Sequence, residues 1–381
     1  MMPRITLALD NCFASKRWTE PGEWMDIARD MGVYAIEASA DNECDPLYTP
    51  AQVLQDWVAA AQGATRRTGV RVANFYSGHG KYTTLGLAHP DVRVRDHIQH
   101  HWLDAMIRTA ASLDAGLGFF CHAFPQSVLR DTWRYAVAEA DLFARLGQLA
   151  GVAAEVELSG LSVEQMYTPH QIPWTLAGAD QLLSTVFQSG GAPMYLTLDV
   201  GHASGQRQYL KPTLEDIQAY VAGARTGQAL GDAWVGYADD IDMNAPDAEE
   251  RLRARIEVQG YLFAQPDDGD PYQWLRRFGA YSPIIHLQQT DGTVSAHRPF
   301  TQAFNATGII QPDKVLRALA ESYAQEEAPG LPPRCQDIYL TIEVFSSTAQ
   351  KPKTILANIR ETAAYWRQFI PEDGLSLDQL I

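Results

Sequence analysis

The stretch that decides the fold is residues 194–202, which read MYLTLDVGH. A short apolar run, rich in residues that favour β-strands, ends in Asp199 and, three positions later, in His202. Runs of this length and composition are typical of the buried strands of parallel sheets. In β/α barrels, reactive side chains lie at the carboxyl ends of such strands. The stretch therefore predicts a buried parallel strand that ends in ionisable groups.

Seven other short apolar runs alternate with segments of helical periodicity, so the chain contains eight β/α units. The predicted strands cover residues 5–10, 33–38, 70–77, 117–123, 161–166, 194–200, 283–288 and 338–345. The predicted helices cover residues 21–31, 51–68, 92–113, 132–150, 179–188, 213–224, 312–323 and 353–369. No glycine-rich phosphate turn follows the first strand, which disfavours a doubly wound sheet. Eight units in order predict a closed (β/α)8 barrel, the TIM barrel fold.

We expect residues 1–381 to form one barrel, because α/β barrels of more than about 250 residues are common as single domains. One stretch interrupts the alternation of strands and helices. Residues 228–270, between the sixth and seventh strands, are rich in Asp and Glu and contain aromatic residues. A connection of this length without a place in the barrel is usually functional. We therefore predict that it is an acidic insertion that serves as a lid.

The composition limits the partners that this chain can have. With 30 Lys and Arg against 46 Asp and Glu, its formal charge is −16, so we expect neither nucleic-acid nor membrane binding. The four cysteines are too far apart for a disulfide framework, and neither a secretory signal nor a run of about 20 apolar residues occurs. These features predict a cytoplasmic protein. Its nine Trp and sixteen Tyr leave aromatic residues available for the interface of a homo-oligomer.

Four consecutive predicted strands, the fifth to the eighth, end in ionisable residues within apolar runs: Glu164, Asp199, His286 and Glu343. Burying a carboxylate without a partner is costly, and three carboxylates that face one another cost more unless a cation lies between them. We therefore predict that these four residues bind one divalent metal ion. Three carboxylates and one imidazole form a hard ligand set, which favours Mn²⁺, with Mg²⁺, Co²⁺ and Zn²⁺ as alternatives.

Two other glutamates, Glu155 and Glu157, compete with Glu164 for the end of the fifth strand. The residues before Glu155 are strongly helical, and Gly160 is a suitable break before a new strand. The gap of 35 residues from Glu164 to Asp199 also suits one β/α unit. We therefore expect Glu155 and Glu157 to lie at the solvated end of a helix.

Residues that end the earlier strands could line the same cavity. Glu37 closes the second strand, Asn74 and His79 belong to the third strand and its loop, and His122 ends the fourth. For His79 and His122 we predict contact with the substrate, and structural hydrogen bonding is an equally open reading. Their position at the carboxyl side of the barrel is what makes them candidates.

In this order, these motifs resemble those of the xylose isomerase-like TIM-barrel superfamily, which contains sugar isomerases, ketose 3-epimerases and DNA repair enzymes of the endonuclease IV type. The resemblance rests on Glu164, on Asp-x-x-His at Asp199 and His202, on His286, and on Ile-Glu-Val-Phe around Glu343. The fragments EQMYTPH at 164–170 and IHLQQTDG at 285–292 also resemble those of sugar-phosphate isomerases and epimerases. The resemblance to this superfamily spans almost the whole chain.

The resemblance implies a metal-dependent isomerase or epimerase that acts on a ketose, either a sugar or a sugar phosphate, through an enediolate. Glu164 and Glu343 would serve as acid and base as well as ligands, and His202 would contact substrate hydroxyls. Arg298 would take the place of the substrate-side arginine, although it follows His286 by twelve residues, more than in the epimerases. A hydride shift between carbons is a third variant of the reaction.

Two other functions are compatible with the same barrel. A dehydratase of keto-sugars or keto-inositols would use the same enolate chemistry. A DNA repair endonuclease would need further metal ligands and a basic surface, and the charge of −16 opposes the second requirement. Retention on heparin at low salt distinguishes the nuclease from the sugar enzymes.

Overall fold

Eight parallel strands close into a ring in the computed structural model, which describes residues 2–77, 85–121, 123–228 and 233–381. Each strand pairs with the next along the chain, and the eighth pairs with the first. The predicted (β/α)8 barrel is therefore confirmed. A short ninth strand, β9, pairs antiparallel with the start of the first strand. The strands are β1 Arg4–Asp10, β2 Ala35–Ser39, β3 Arg71–Ser77, β4 Gly116–Phe119, β5 Leu161–Glu164, β6 Tyr195–Asp199, β7 Ile284–Leu287, β8 Asp337–Ile342 and β9 Leu375–Ser376.

Helices surround this ring, and each predicted helix has a counterpart in the structure. The predicted helix at 92–113 consists of two α-helices joined by a π-helical turn at Ile98–Leu103. The helices are α1 Pro21–Asp30, α2 Ala51–Thr68, α3 Val92–His97, α4 Asp104–Ala111, α5 Gln126–Leu129, α6 Thr132–Glu155, α7 Leu176–Gly190, α8 Ala203–Gln206, α9 Leu214–Thr226, α10 Ala248–Val258, α11 Pro271–Phe278, α12 Gln302–Asn305, α13 Pro312–Ala324 and α14 Pro352–Trp366.

The helices cover the outer face of the barrel because each presents one apolar face to the strands. In α2, Leu54, Trp57, Ala61 and Ala64 recur every three or four residues and are buried. The helix ends at Gly69, which has a φ of 76°, a left-handed conformation that favours glycine. Side chains of this kind form one continuous core between the strands and the helices.

A β-bulge between β2 and β3 changes which side chains lie opposite each other inside the barrel. Opposite the step from Ile36 to Glu37, β3 contains one extra residue, so that Glu37 pairs with Asn74. Bulges re-aim the side chains that follow them and are common next to active sites. Below this level, Ala8, Ala35 and Ala73 form a small separate cluster.

The described part of the acidic segment 228–270 packs against the outside of the barrel. Tyr261 stacks on Tyr135 of α6 with ring centroids 3.9 Å apart, and Asp239 forms an ion pair of 2.6 Å with Arg130. Helix α10 turns three apolar residues into the core. None of residues 233–270 lines the cavity described below, and the role of a lid stays a prediction. Among the described helices, none has the length and apolar character needed to cross a bilayer.

Candidate functional site

Four buried side chains from β5 to β8 meet at the carboxyl end of the barrel: Glu164, Asp199, His286 and Glu343. One ligand atom from each lies within 4.8 Å of those of the others. Glu164 and Asp199 are the last residues of their strands, and Glu343 directly follows β8. The strand register places Asp199 beside His286. The four residues that the sequence predicts as metal ligands are thus brought together by consecutive strands, while Glu155 and Glu157 are exposed.

The imidazole of His286 lies between three carboxylates. Its Nδ1 atom is 3.1 Å from Glu164 Oε1 and 3.4 Å from Glu343 Oε2, and its Nε2 atom is 2.8 Å from Glu37 Oε2. Burial alone would lower the pKa of His286, but the carboxylates of Glu343 and Glu37 outweigh it and raise the pKa well above its usual range. Without a bound cation, this histidine is the positive charge that offsets the buried carboxylates.

Hydrogen bonds fix the two carboxylates of β5 and β6. The Tyr76 hydroxyl donates to Glu164 Oε2, and Gln288 Nε2 donates to both carboxylate oxygens of Asp199 at 2.8 and 2.9 Å. The backbone N–H of Gly201 donates to Asp199 Oδ1 at 2.6 Å. A Cβ atom at position 201 would lie 2.3 Å from Gln288 Cδ, so only glycine lets Gln288 reach Asp199.

These contacts and burial shift the pKa values of the same groups in different directions. Burial alone would raise the pKa of Glu164, but the hydrogen bond with His286 and the nearby His202 lower it below its usual range. Burial raises the pKa of Asp199, which lies in a dry environment. Burial, with the Glu164 carboxylate second, raises the pKa of Tyr76 well above its usual range, so its hydroxyl remains a donor.

Two histidines line the cavity above this cluster. His202 Nδ1 lies 2.7 Å from the carbonyl oxygen of Gln165, which identifies Nδ1 as the protonated nitrogen because a carbonyl can only accept. Its Nε2 atom is 3.7 Å from Asp199 Oδ2. His297 Nδ1 lies 3.1 Å from Glu343 Oε2. Together with Asp199, the two histidines form a second group whose spacing could hold a metal ion.

The backbone of His297 is held in an unusual conformation. Its φ is 44°, in the left-handed region that non-glycine residues rarely adopt, and its N–H donates to Gln288 Oε1 at 2.6 Å. Its ring stacks on Phe345 with centroids 3.9 Å apart and an interplanar angle of 13°. The same Gln288 side chain therefore braces both Asp199 and His297.

Arg298 follows His297 directly but points elsewhere. Its guanidinium forms an ion pair of 2.8 Å with Asp291 and lies over the ring of Phe304. It lines a neighbouring chamber of about 170 Å³ and is not among the residues around the central cavity. The structure therefore does not bring Arg298 to the four predicted ligands. His79 and His122, the other predicted substrate contacts, lie outside the described residues.

The cavity above the cluster has a volume of about 420 Å³, within the range of small-molecule sites. No Lys or Arg lines its described part. Its lining residues include both candidate acid/base glutamates, two histidines and several aromatic side chains: Tyr76, Phe120, Glu164, Met166, Tyr167, His202, Ser295, Ala296, His297, Glu343 and Phe345.

Four residues of this site were given no chemical role by sequence reasoning: Tyr76, Gln288, His297 and Glu37. Glu37 was noticed as a residue of the cavity mouth, but it lies instead against the Nε2 atom of His286. A signal was present for Glu37, a carboxylate inside the apolar run AIEAS. No comparable signal marks His297, because its position depends on the left-handed turn of its loop.

Comparison with solved structures identifies the architecture. A candidate xylose isomerase from Rhodospirillum rubrum is 19% identical, covers 96% of this chain and 99% of its own, and superposes with a TM-score of 0.67. The chain has the xylose isomerase-like barrel fold. A D-tagatose 3-epimerase-like protein is 14% identical at 97% and 98% coverage with a TM-score of 0.54. A D-allulose 3-epimerase from Methylomonas is 15% identical at 97% coverage of each chain, with a TM-score of 0.52.

A curated relative matches the chain over a shorter region. The D-erythrulose 1-phosphate 3-epimerase of Brucella abortus is 38% identical over 119 residues, which are 31% of this chain. The match spans 35% of the length of that curated relative. No family model matches the chain.

Proposed function

We propose that this chain is a divalent-metal-dependent epimerase or isomerase of a small ketose or ketose phosphate. The observation that carries the proposal is the convergence of Glu164, Asp199, His286 and Glu343 at the floor of a cavity of about 420 Å³. The match to a D-erythrulose 1-phosphate 3-epimerase over part of the chain supports the epimerase assignment. The solved structures of tagatose and allulose 3-epimerase type share the same barrel.

The donor set fits a divalent cation. Three buried carboxylates and one imidazole have ligand atoms within 4.8 Å of one another, and oxygen-rich sets of this kind suit Mn²⁺, Mg²⁺ and Co²⁺. The only counter-charges near these carboxylates in the described residues are histidines. When bound, such an ion stabilises negative charge that develops on the oxygens of a carbonyl substrate.

Glu164 and Glu343 act as the acid/base pair in this proposal. Both line the cavity, and they come from β5 and β8, which are three positions apart in the ring and therefore approach the substrate from different sides. One carboxylate removes the proton from the carbon beside the carbonyl, which leaves an enediolate. The other glutamate, protonated as a carboxylic acid, donates its proton to the opposite face of that carbon and becomes a carboxylate, and the configuration of the carbon is inverted.

His202 and His297 bind substrate hydroxyls in this proposal. His202 uses Nδ1 for the Gln165 carbonyl and so offers Nε2 to the cavity. His297 takes the position on the cavity wall that the sequence assigned to Arg298, and Gln288 and Phe345 keep its ring in place. Arg298, His79 and His122 stay predicted substrate contacts, with Arg298 one residue from the wall.

Substrate turnover tests the proposal directly. The protein is loaded with Mn²⁺, its metal content is measured, and it is incubated separately with D-erythrulose 1-phosphate, D-tagatose and D-psicose. We expect at least one of them to give the C3 epimer or the aldose, detected by ¹³C NMR, and the chelated protein to give neither. A metal-loaded protein that turns over no ketose of four to six carbons, or that releases a dehydrated product, would contradict the assignment.

A further inference from the structure

Glu37 contacts the candidate metal ligand His286 on the side opposite the other carboxylates. Its Oε2 atom lies 2.8 Å from His286 Nε2, whereas Glu164 and Glu343 lie on the Nδ1 side. Both Glu37 and His286 are buried, with 1% and 0% of their surface exposed. This contact is therefore shielded from bulk solvent.

The orientation of the Glu37 carboxylate is itself fixed. Asn74 Nδ2 donates to Glu37 Oε1 at 2.6 Å and to the carbonyl oxygen of Phe75 at 2.8 Å, which holds the Asn74 amide in one orientation. The β-bulge that pairs Glu37 with Asn74 brings these two side chains together. One oxygen of Glu37 is therefore committed to Asn74, and the other is aimed at the imidazole.

We propose that Glu37 is a positioning residue that holds His286 with the proton on Nε2, so that Nδ1 is the nitrogen presented to the metal ion. A carboxylate can only accept a hydrogen bond, so without a metal ion both imidazole nitrogens, which face Glu37 and Glu164, carry protons. A metal ion bound among Glu164, Asp199 and Glu343 would replace the proton on Nδ1, whereas the hydrogen bond to Glu37 keeps the proton on Nε2. This inference rests on the metal centre of the proposed function and adds to it a residue from outside the ligand set.

The buried negative charge of Glu37 has a second effect on the centre. A carboxylate hydrogen-bonded to the second nitrogen of a histidine ligand makes that ligand more basic and fixes the plane of its ring. Loss of such a partner typically lowers metal affinity by about 10- to 100-fold. The same range is expected here, because Glu37 Oε2 lies 2.8 Å from His286 Nε2 and both side chains are buried.

The test measures the dissociation constant of Mn²⁺ for the folded, metal-free protein by competition with a fluorescent chelator. Glu37→Ala removes the acceptor and is expected to weaken Mn²⁺ binding by about 10- to 100-fold. Glu37→Gln keeps an acceptor oxygen for His286 without the charge, so we expect a smaller loss than in the alanine variant. Its NH2 group faces the Asn74 NH2 donor, so we still expect binding weaker than in the unchanged protein. This graded order distinguishes a positioning role from a packing defect.

Asp268→Asn provides a matched control. Asp268 is also buried, and its carboxylate accepts from the backbone N–H groups of Leu176 and Gln265. We expect this variant to lose thermal stability and to bind Mn²⁺ as the unchanged protein does. If Glu37→Ala does not fold, Glu37→Gln alone decides, with an expected loss of at least about threefold against the control.

Two outcomes would overturn the inference in distinguishable ways. Folded Glu37 variants with a Mn²⁺ dissociation constant within twofold of the unchanged protein would show that Glu37 does not position His286. Failure of the unchanged protein to bind Mn²⁺, Mg²⁺, Co²⁺ or Zn²⁺ would instead refute the metal centre of the proposed function, and this inference with it.

Discussion

The two halves of the barrel contribute to the same cavity in different ways. Strands β5 to β8 each end in a candidate ligand, and these four side chains face one another. Strands β2 and β3 contribute Glu37, Asn74 and Tyr76, which contact the ligands or one another, and Asp10 at the end of β1 lies within 4.8 Å of Glu37 and His286. Strands β5 to β8 thus provide the candidate reactive groups, and strands β1 to β3 hold these groups in place.

This difference predicts two classes of effect. Changes in β5 to β8 remove a ligand or a proton acceptor, so they act on the reaction itself. Changes in β1 to β3 remove one hydrogen bond from a residue that stays in place, and a hydrogen bond to a charged group contributes about 1.5–3 kcal/mol. Substitutions in β5 to β8 should therefore nearly abolish turnover, whereas substitutions in β1 to β3 should reduce the rate only in part.

Removal of the metal ion tests strands β5 to β8 as a unit and should have the largest effect. Chelation leaves three buried carboxylates with only histidines to offset their charge, so we expect turnover to be abolished and the melting temperature to fall. Mn²⁺ or Co²⁺ should restore both. The measurement is activity and thermal denaturation of the same sample before and after readdition. Full activity in a protein shown to contain no metal would contradict the metal-binding role of strands β5 to β8.

Substitution of the proton-transfer glutamates should have the next largest effect. Glu164→Gln and Glu343→Gln keep the size of the side chain and one ligand oxygen, and loss of a general base costs about 10²–10⁴-fold in rate. Reaction of the unchanged protein in D₂O should place deuterium on the carbon that loses its hydrogen, because a carboxylic acid exchanges its proton with solvent.

The label also separates the two mechanisms open for this barrel. A hydride shift would carry the original hydrogen to the neighbouring carbon, and the product would contain little deuterium. Gln variants that stay metal-loaded and active, with a product free of deuterium, would refute the enediolate route.

The comparison between these two groups of strands also explains which site residues could be predicted from the sequence. Asp199 could be predicted because a buried carboxylate near the end of the apolar run MYLTLDV is costly unless it has a partner. Glu37 shows the same pattern in AIEAS, yet the sequence does not say which nitrogen of which histidine it would meet. Strand order decides which ends of strands are neighbours, and this is why the candidate ligands were within reach of sequence reasoning.

The residues that line the wall of the cavity could not be predicted from the sequence in the same way. His297 and Arg298 are adjacent in a loop, and the left-handed φ of 44° at His297 determines which of them faces the cavity. Loop conformations of this kind depend on tertiary contacts, here the hydrogen bond from the His297 N–H to Gln288. The resemblance to the epimerases gave the role of substrate contact to Arg298, and the sequence alone does not say which of the two residues faces the cavity.

Tyr76→Phe tests the supporting role of strands β1 to β3, and we expect an effect of intermediate size. It removes the hydroxyl that donates to Glu164 and leaves the ring, so we expect kcat to fall by about 10- to 100-fold while the metal stays bound. Tyr135→Phe is the matched control, because Tyr135 is a buried tyrosine that donates to Glu139 outside the cavity. The measurements are kcat and metal content of both variants. Equal kcat losses in the two variants would indicate a general packing effect.

The smallest effect is expected at Arg298, and it tests where the wall of the cavity runs. His297→Ala should raise KM by about tenfold, since it removes a side chain that lines the cavity and contacts Glu343. Arg298→Ala should change KM and kcat by less than about threefold, because its partly exposed ion pair with Asp291 lies beside the neighbouring chamber and such pairs contribute little. The two variants differ by one position in one loop, so a defect in loop folding would affect both. A larger loss in Arg298→Ala, above all for a phosphorylated ketose over its unphosphorylated form, would place the guanidinium on the substrate as the sequence predicts. It would also indicate that the anionic end of the substrate binds in the neighbouring chamber.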